Sequence, residues 1–419
     1  MTKLSEKTER RHDRFLNLAI CFLVGGLFMT NYSVGLQNYI EGLTPDKVSS
    51  FSKLLIVGAM ALCLPALIQR FQAKMFWIAI GMMLVYFFQK LLFPTQDFVF
   101  KRTFQTFLLT VFPAVICFLA VRDYDSLLAW LLRLSLVISA VCLLSMLIYG
   151  AELFAGQYVM GFSNSLILPS EVLLLHFASE DTPASKKFIY LSLTFSNCLC
   201  ICIYGSRGAL AAIVVFAIYM ILKAETSVAK KFLVCSTLLV FGILFLIFFE
   251  SLMVSLNDWL TELGFKSRTL SIIINDIGHD SGRYEMWAYL SAEIQENIFA
   301  VRGINADYLM IGVYAHNFML ELLYDLGPVM ASIIIVYILY CGVSTLAAPV
   351  TPYSKILTLT LFSFIPVALW SGSIWTSMYF WIWIFLYRTE DLKRSKKENA
   401  EKPTELNEQI AEPEAVPQN

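Results

Sequence analysis

Two arginines and a histidine of this chain have side chains that can bind phosphate or transfer a proton. Each of them lies at the end of an apolar run or in the polar stretch between two such runs. Arg207 opens an apolar run in Tyr-Gly-Ser-Arg-Gly-Ala, Arg283 lies in the polar stretch Asp-Ser-Gly-Arg-Tyr-Glu, and His316 precedes an apolar run in Ala-His-Asn-Phe. Arginine donates paired hydrogen bonds to phosphate oxygens, and histidine exchanges a proton near neutral pH. We therefore expect the three side chains to face water and a lipid headgroup together.

The elements that hold these residues are those of a membrane protein. Of the 419 residues, 58% are hydrophobic and 15% are charged, and the mean hydropathy is +0.67. Soluble domains contain roughly 45–50% apolar residues, and a helix of about 20 apolar residues is long enough to cross a bilayer. Runs of that length follow one another with only short polar breaks, which excludes a set of soluble domains.

We predict an all-α integral membrane protein of about 12 transmembrane helices. The predicted spans are 15–35, 51–69, 75–93, 103–121, 126–149, 158–178, 188–204, 208–222, 232–250, 317–342, 356–370 and 373–387. Residues 1–14 form a basic cytoplasmic N-terminus, and 15–388 form the membrane domain. The tail 389–419 contains almost nothing apolar, so we expect it to be disordered.

Lysine and arginine residues in the short connections predict the orientation of the chain, because such residues favour the cytoplasmic side. They occur in residues 1–14, in alternate connections and again after residue 387. Both termini are therefore predicted to be cytoplasmic, and the long loop 251–315, between spans nine and ten, is predicted to be extracytoplasmic. The loop contains two amphipathic stretches, around Trp259 and Trp287, that are typical of helices at a membrane interface.

Three motifs around the long loop resemble those of the bacterial O-antigen ligase and Wzy-type polysaccharide polymerase superfamily. They are Ser-Arg-Gly-Ala at Arg207, Gly-Arg-x-x-x-Trp at Arg283 followed by Asn-Ile-Phe-Ala-Val-Arg-Gly, and Ala-His-Asn-Phe-Met-Leu-Glu-Leu-Leu-Tyr-Asp-Leu-Gly at His316. The order of the motifs and the topology match as well. The resemblance covers residues 158–342 best, whereas the first five spans match only as generic apolar helices.

The resemblance implies a multi-pass glycosyltransferase of the bacterial cytoplasmic (inner) membrane. Such enzymes move a glycan from undecaprenyl diphosphate to an acceptor hydroxyl on the extracytoplasmic face, in lipopolysaccharide or capsule biosynthesis. It implies that Arg207 and Arg283 bind the diphosphate and that His316 is the general base. Where relatives tend to have a Phe-Gly-Val-Gly turn, this chain has Phe-Ala-Val-Arg-Gly, which puts Arg302 in the turn, and we expect it to be a third phosphate contact or a headgroup anchor. Because arginines can replace a divalent ion, we expect a metal-independent inverting enzyme without a cofactor.

Several alternatives remain open at this stage. The acceptor is either another lipid-linked glycan, in a polymerase, or a lipid A core, in a ligase, and the motif at His316 favours the polymerase. A flippase or transporter would also be apolar, but its ionisable residues should lie near the bilayer midplane. A metal-dependent transferase would need acidic ligands in its outer loops. The expected partners are these glycan substrates and membrane lipids, and no nucleic acid.

Each functional residue also has a structural interpretation. Arg207 could be an interfacial anchor whose side chain reaches the headgroups, and His316 could simply bond neighbouring backbone. Arg133 and Glu171 lie within predicted spans, where an unpaired charge is costly, so we expect them to pair with each other, with His176 nearby.

Overall fold

The computed structural model describes residues 6–37, 39–40, 43–154, 159–204, 207–224, 236, 249–262, 274, 282–370 and 372–387. Within these residues the regular structure is entirely helical. The helices are α1 Glu6–Leu36, α2 Pro45–Gln69, α3 Ala73–Leu92, α4 Asp97–Thr106, α5 Phe112–Ala120, α6 Tyr124–Tyr149, α7 Met160–Ser165, α8 Ile167–Ala178, α9 Ala184–Tyr204, α10 Arg207–Lys223, α11 Phe249–Glu262, α12 Arg283–Glu296, α13 Ala306–Ile311, α14 Phe318–Ala347, α15 Pro352–Trp370 and α16 Met378–Leu386.

Seven helical segments of the described chain are long and apolar enough to cross a bilayer, which makes the protein an α-helical, multi-pass membrane protein. They are Lys7–Leu36, Asp46–Gln69, Ala73–Leu92, Pro94–Ala120, Tyr124–Tyr149, Ala184–Tyr204 and Phe318–Ala347. The predicted eighth span corresponds to α10, which is apolar but shorter. Most of the predicted ninth span, 232–250, and the predicted tail, 389–419, lie outside the described residues.

Two predicted spans are less regular than the apolar pattern suggests. The predicted span 158–178 is divided into α7 and α8, and Pro169 in the first turn of α8 cannot donate to the carbonyl of Ser165. The predicted span 103–121 is part of a longer segment in which a π turn, Phe107–Val111, joins α4 to α5. Pro113 follows this wider turn and likewise lacks the N–H that a regular helix would need there.

The short basic connections meet at one end of the helix bundle. Arg70, between α2 and α3, binds Asp13 of α1 at 2.6 Å, and Arg122, between α5 and α6, binds Glu9 at 2.8 Å. Lys223 at the end of α10 donates to the carbonyl of Ala348, after α14, at 2.7 Å. These contacts join connections that the charge pattern assigns to the same side of the membrane. Helix α1 already begins at Glu6, so the structure continues it through most of the predicted basic terminus.

The helix that follows His316 has a sharp bend in its first half. Gly327 of α14 has φ 76° and ψ 154°, and Pro328 follows it. A Cβ atom on Gly327 would approach the carbonyl oxygen of Ala300 to 2.8 Å, so only glycine allows this close contact. The bend lets the turn after α12 pack against α14.

A buried carboxyl group in the bundle has a different partner from the one predicted. The Glu171 side chain is fully buried, and its Oε2 accepts a hydrogen bond from Ser363 of α15 at 2.7 Å. Arg133 instead lies over the Trp130 ring, 5.6 Å from its centroid. The expected Arg133–Glu171 pair is therefore wrong, because Arg133 lies on an aromatic ring and Glu171 binds a hydroxyl with one oxygen, while its Oε1 is buried without a hydrogen-bond partner.

Candidate functional site

The site is built around the segment that connects α13 to α14, where His316 lies. His316 has φ 52°, which is the left-handed region, and residues other than glycine seldom adopt it. The next residue, Asn317, caps α14: its Oδ1 accepts from the backbone N–H groups of Met319 and Leu320 at 3.1 and 3.2 Å. The cap fixes the backbone on the C-terminal side of His316.

The backbone on the N-terminal side of His316 is held by two side chains. Asp307 of α13 accepts from the Ala315 N–H at 2.8 Å, and Trp287 of α12 donates to the Ala315 carbonyl at 2.6 Å. Both polar backbone groups of the residue before His316 therefore have partners from other helices. A backbone conformation of this kind, which costs about 1–3 kcal/mol when strained, persists only where its surroundings fix it.

In the structure, the charge of Arg283 is close enough to His316 to affect its pKa. Arg283 is the first residue of α12, one helical turn before Trp287, so the helix that anchors Ala315 also carries the arginine. Burial lowers the pKa of His316, and the positive charge of Arg283 lowers it further. The ring is half-buried, and its Nδ1 is a buried atom without a hydrogen-bond partner. His316 is thus a neutral imidazole at neutral pH, close to a cation that suits an anionic ligand.

Arg302 connects two elements of the site. Its Nη2 donates to the carbonyl of Glu293 in α12 at 2.7 Å, and its guanidinium lies 4.6 Å from the centroid of the Tyr324 ring in α14. A second nitrogen, Nη1, is buried without a partner. These contacts hold α12 on α14, so Arg302 has a structural role, and its expected contact with a phosphate stays a prediction.

Arg207 is the first residue of α10, as the motif at the start of an apolar run predicts. The two residues before it, and the position of its side chain, lie outside what the structure describes. Its proximity to Arg283 and His316 therefore stays a prediction.

A cluster of three buried carboxyl groups beneath the His316 segment was not anticipated. It consists of Asp307, Glu321 and Asp325, each with an oxygen within 4.8 Å of the others. The signal was present in the sequence, since Glu321 and Asp325 lie four residues apart in an otherwise apolar run and so share one helix face. Acidic ligands were expected in outer loops, whereas these three carboxyl groups lie on α13 and α14.

Hydrogen bonds from the backbone explain most of this carboxyl cluster. Asp325 accepts from the N–H groups of Asn305 and Ala306 at 2.9 and 3.0 Å and from the Trp375 indole at 2.8 Å. Glu321 accepts from the hydroxyl of Ser373 and, at 3.0 Å, from the N–H of Ile374. These bonds tie the turn before α13 and the turn before α16 to α14.

The remaining carboxyl oxygen of the cluster belongs to Asp307. Its Oδ2 binds Ala315, whereas its Oδ1 is buried without a partner, and burial raises the pKa of this carboxyl. Carboxyl groups are ligands for hard divalent cations, and three negative charges this close repel one another unless a proton or a cation offsets them. The cluster could hold a cation, but the backbone donors already use most of the oxygens.

Comparison of the chain with protein-family models, with curated proteins and with solved structures gives no match. The function is therefore inferred from the motifs and from the geometry around His316.

Proposed function

We propose that the protein is a membrane glycosyltransferase that moves a glycan from undecaprenyl diphosphate to an acceptor sugar hydroxyl on the extracytoplasmic face. The observation that carries the proposal is the neutral, half-buried His316, held in a left-handed conformation with the charge of Arg283 beside it. A proton acceptor next to a cation is the pair that this reaction requires.

In the proposed reaction, the acceptor hydroxyl oxygen attacks the anomeric carbon of the donor sugar, and the bond from that carbon to the diphosphate oxygen breaks. His316 takes the hydroxyl proton, and the electron pair of the broken bond leaves with the diphosphate. Arg283 and Arg207 offset the charge on the leaving group. Attack from the face opposite the diphosphate inverts the anomeric configuration. The chemistry assigned to these residues needs no metal ion.

The proposal includes a topology of twelve spans with both termini in the cytoplasm of a bacterial cell. Its support is the charge pattern, together with the meeting of Arg70, Arg122 and Lys223 at one end of the bundle. His316 belongs to the α12–α14 region, whose predicted location is the extracytoplasmic end.

We favour a polymerase, which joins two lipid-linked glycans, over a ligase that uses a lipid A core. The glycans of a deletion strain distinguish them: a lost polymerase leaves single repeat units attached, and a lost ligase leaves none. A metal-dependent transferase is a second candidate because of the cluster Asp307, Glu321 and Asp325, but backbone donors occupy most of its oxygens.

Turnover by a purified His316→Gln protein tests the proposed chemistry. Because a general base typically contributes about 10²–10⁴-fold, we expect the rate to fall by that factor while the lipid-diphosphate glycan still binds. His176→Gln is the matched control, since this half-buried histidine bonds the Val172 carbonyl in α8 and should not affect the rate. Substantial turnover by His316→Gln would eliminate His316 as the base.

A further inference from the structure

A groove on the surface of the bundle, lined by residues outside the His316 segment, has the character of a lipid-binding site. It lies between α1, α2 and the α4–π-turn segment and has a volume of about 440 Å³. Its walls contain two exposed cations, Lys53 of α2 and Arg102 of α4. In the sequence, Arg102 and its neighbour Lys101 directly precede the predicted span 103–121, at its predicted extracytoplasmic end.

The groove changes from polar to apolar along all three helices. Polar residues lie toward the α1–α2 connection and the start of α4, and apolar residues lie deeper in the bundle, with Thr110 as the exception. The polar wall includes Thr30, Ser49, Lys53, Arg102 and Gln105, and the apolar wall includes Leu23, Ile56 and Leu109. An amphiphile with an anionic headgroup and a hydrocarbon chain matches this gradient.

The depth of the two cations matches that of a lipid phosphate. Lys53 is sixteen residues from the end of α2 at Gln69, and Arg102 is eighteen residues from the end of α5 at Ala120. At 1.5 Å per residue these distances are about 24 and 27 Å, in a hydrocarbon core about 30 Å thick. Both cations therefore lie near one boundary between hydrocarbon and headgroups.

The polar end of the groove adjoins the candidate site. Burial raises the pKa of Tyr314, two residues before His316, and the nearby positive charge of Arg102 offsets part of that rise. Gln96, just before α4, donates to the Arg302 carbonyl, and Gln89 of α3 accepts from the Ile304 N–H at 3.1 Å. A headgroup bound by Arg102 would thus lie beside the segment that carries His316.

We propose that this groove binds the lipid-linked acceptor, with its diphosphate on Lys53 and Arg102 and its polyprenyl chain along Leu23, Ile56 and Leu109. The identity of this occupant rests on the proposed function, because a polymerase must hold two lipid-linked glycans at once. The donor diphosphate occupies the site of Arg283, and the acceptor needs a second phosphate site whose sugar reaches His316.

The number of undecaprenyl diphosphate molecules bound to the purified protein in phosphatidylcholine nanodiscs tests this assignment. By native mass spectrometry, we expect two on the wild-type protein and one on Lys53→Gln/Arg102→Gln, with affinity at the second site weakened roughly tenfold or more per cation. Lys101→Gln is the matched control, because Lys101 is exposed next to Arg102 but is not part of the groove wall. Both altered side chains are exposed, so the thermal unfolding temperature should be unchanged.

Three results would overturn all or part of the proposal. Two lipids on the double variant, with affinities unchanged, would reject the groove as a binding site. Displacement of the second lipid by phosphatidylglycerol at equal concentration would assign the groove to ordinary anionic phospholipid instead of the acceptor. The double variant could lose the second lipid while the wild-type protein transfers no glycan. This result would support the groove as a binding site for diphosphate lipids and would reject the proposed glycosyltransferase function.

Discussion

His316 and Arg283 influence each other through charge, and this coupling links substrate binding to catalysis in the proposed mechanism. The arginine and burial both keep the imidazole neutral in the free protein. When a diphosphate binds Arg283, its negative charge offsets that of the arginine, and the ring becomes a stronger base. The base would therefore gain strength only when the donor is in place.

The pH dependence of kcat/KM tests this coupling. A base must be neutral, so the rate falls as the pH drops below the pKa of His316, which lies below its ordinary value of 6.5. Arg283→Gln removes a positive charge and so raises this pKa, which moves the fall in rate on the acid side of the pH profile to higher pH. The same substitution should also weaken binding of the donor. Arg302→Gln is the control, since Arg302 does not contribute to the shift. An acid limb at the same pH in Arg283→Gln would show that the two groups are not coupled.

The residues of the candidate site differ in how far the sequence points to them. The motifs contain His316, Arg283 and Arg207 directly, and the roles assigned to these residues stay predictions. They did not reveal that Arg302 stacks on Tyr324 and bonds α12, since that contact depends on how two helices cross. The partners of Ala315 were equally hidden, because backbone groups leave no pattern in the sequence.

At the scale of elements, one turn of α12 makes two contributions to the candidate site. Arg283 provides charge at its start, and Trp287 on the next turn fixes the backbone beside His316. The amphipathic pattern predicted a helix at the membrane interface here, but not the hydrogen bond from Trp287 to the Ala315 carbonyl. Arg283 and Trp287 lie four residues apart, so both are on the same face of α12.

Trp287→Phe removes the indole N–H but keeps an aromatic ring, and it should lower kcat by up to roughly tenfold. The Ala315 carbonyl would lose its donor, and one neutral hydrogen bond contributes about 0.5–1.5 kcal/mol, which corresponds to a factor of about two to ten in rate. We expect binding of the donor lipid and the thermal unfolding temperature to change little. Trp259→Phe, at an exposed position of α11, is the matched control. An unchanged kcat in Trp287→Phe would show that the hydrogen bond from Trp287 to Ala315 does not affect the reaction.

The C-terminal ends of two helices were predictable from the sequence. The predicted spans 51–69 and 126–149 end at the same residues as α2 and α6, where Arg70 and Gly150, the latter with φ 55°, follow. The bend of α14 at Gly327 was not foreseen, since a continuous apolar run favours a straight helix. Its causes are local and tertiary: Pro328 disfavours the helical conformation at Gly327, and the Ala300 carbonyl approaches a residue that has no Cβ atom.

At the scale of the molecule, the two ends of the bundle have different chemistry. One end joins basic connections to acidic residues of α1, as in the bonds of Arg70 to Asp13 and of Arg122 to Glu9. The other end includes the His316 segment, the buried carboxyl cluster and the polar half of the groove. A protein that uses lipid-linked substrates needs such an asymmetry, because its substrates are oriented in the membrane.

Cysteine labelling at two exposed positions tests the orientation of these ends. Because positively charged connections stay in the cytoplasm, Glu285→Cys in α12 should react with an impermeant maleimide in intact spheroplasts, and Asp181→Cys, between α8 and α9, should react only after the membrane is opened. Background labelling should be low, because the eight described cysteines are buried or half-buried. The opposite pattern would invert the molecule and place His316 in the cytoplasm. Equal labelling of both positions before the membrane is opened would place them on the same side. Three predicted spans, an odd number, separate the two positions and put them on opposite sides, so this result would remove the predicted ninth span.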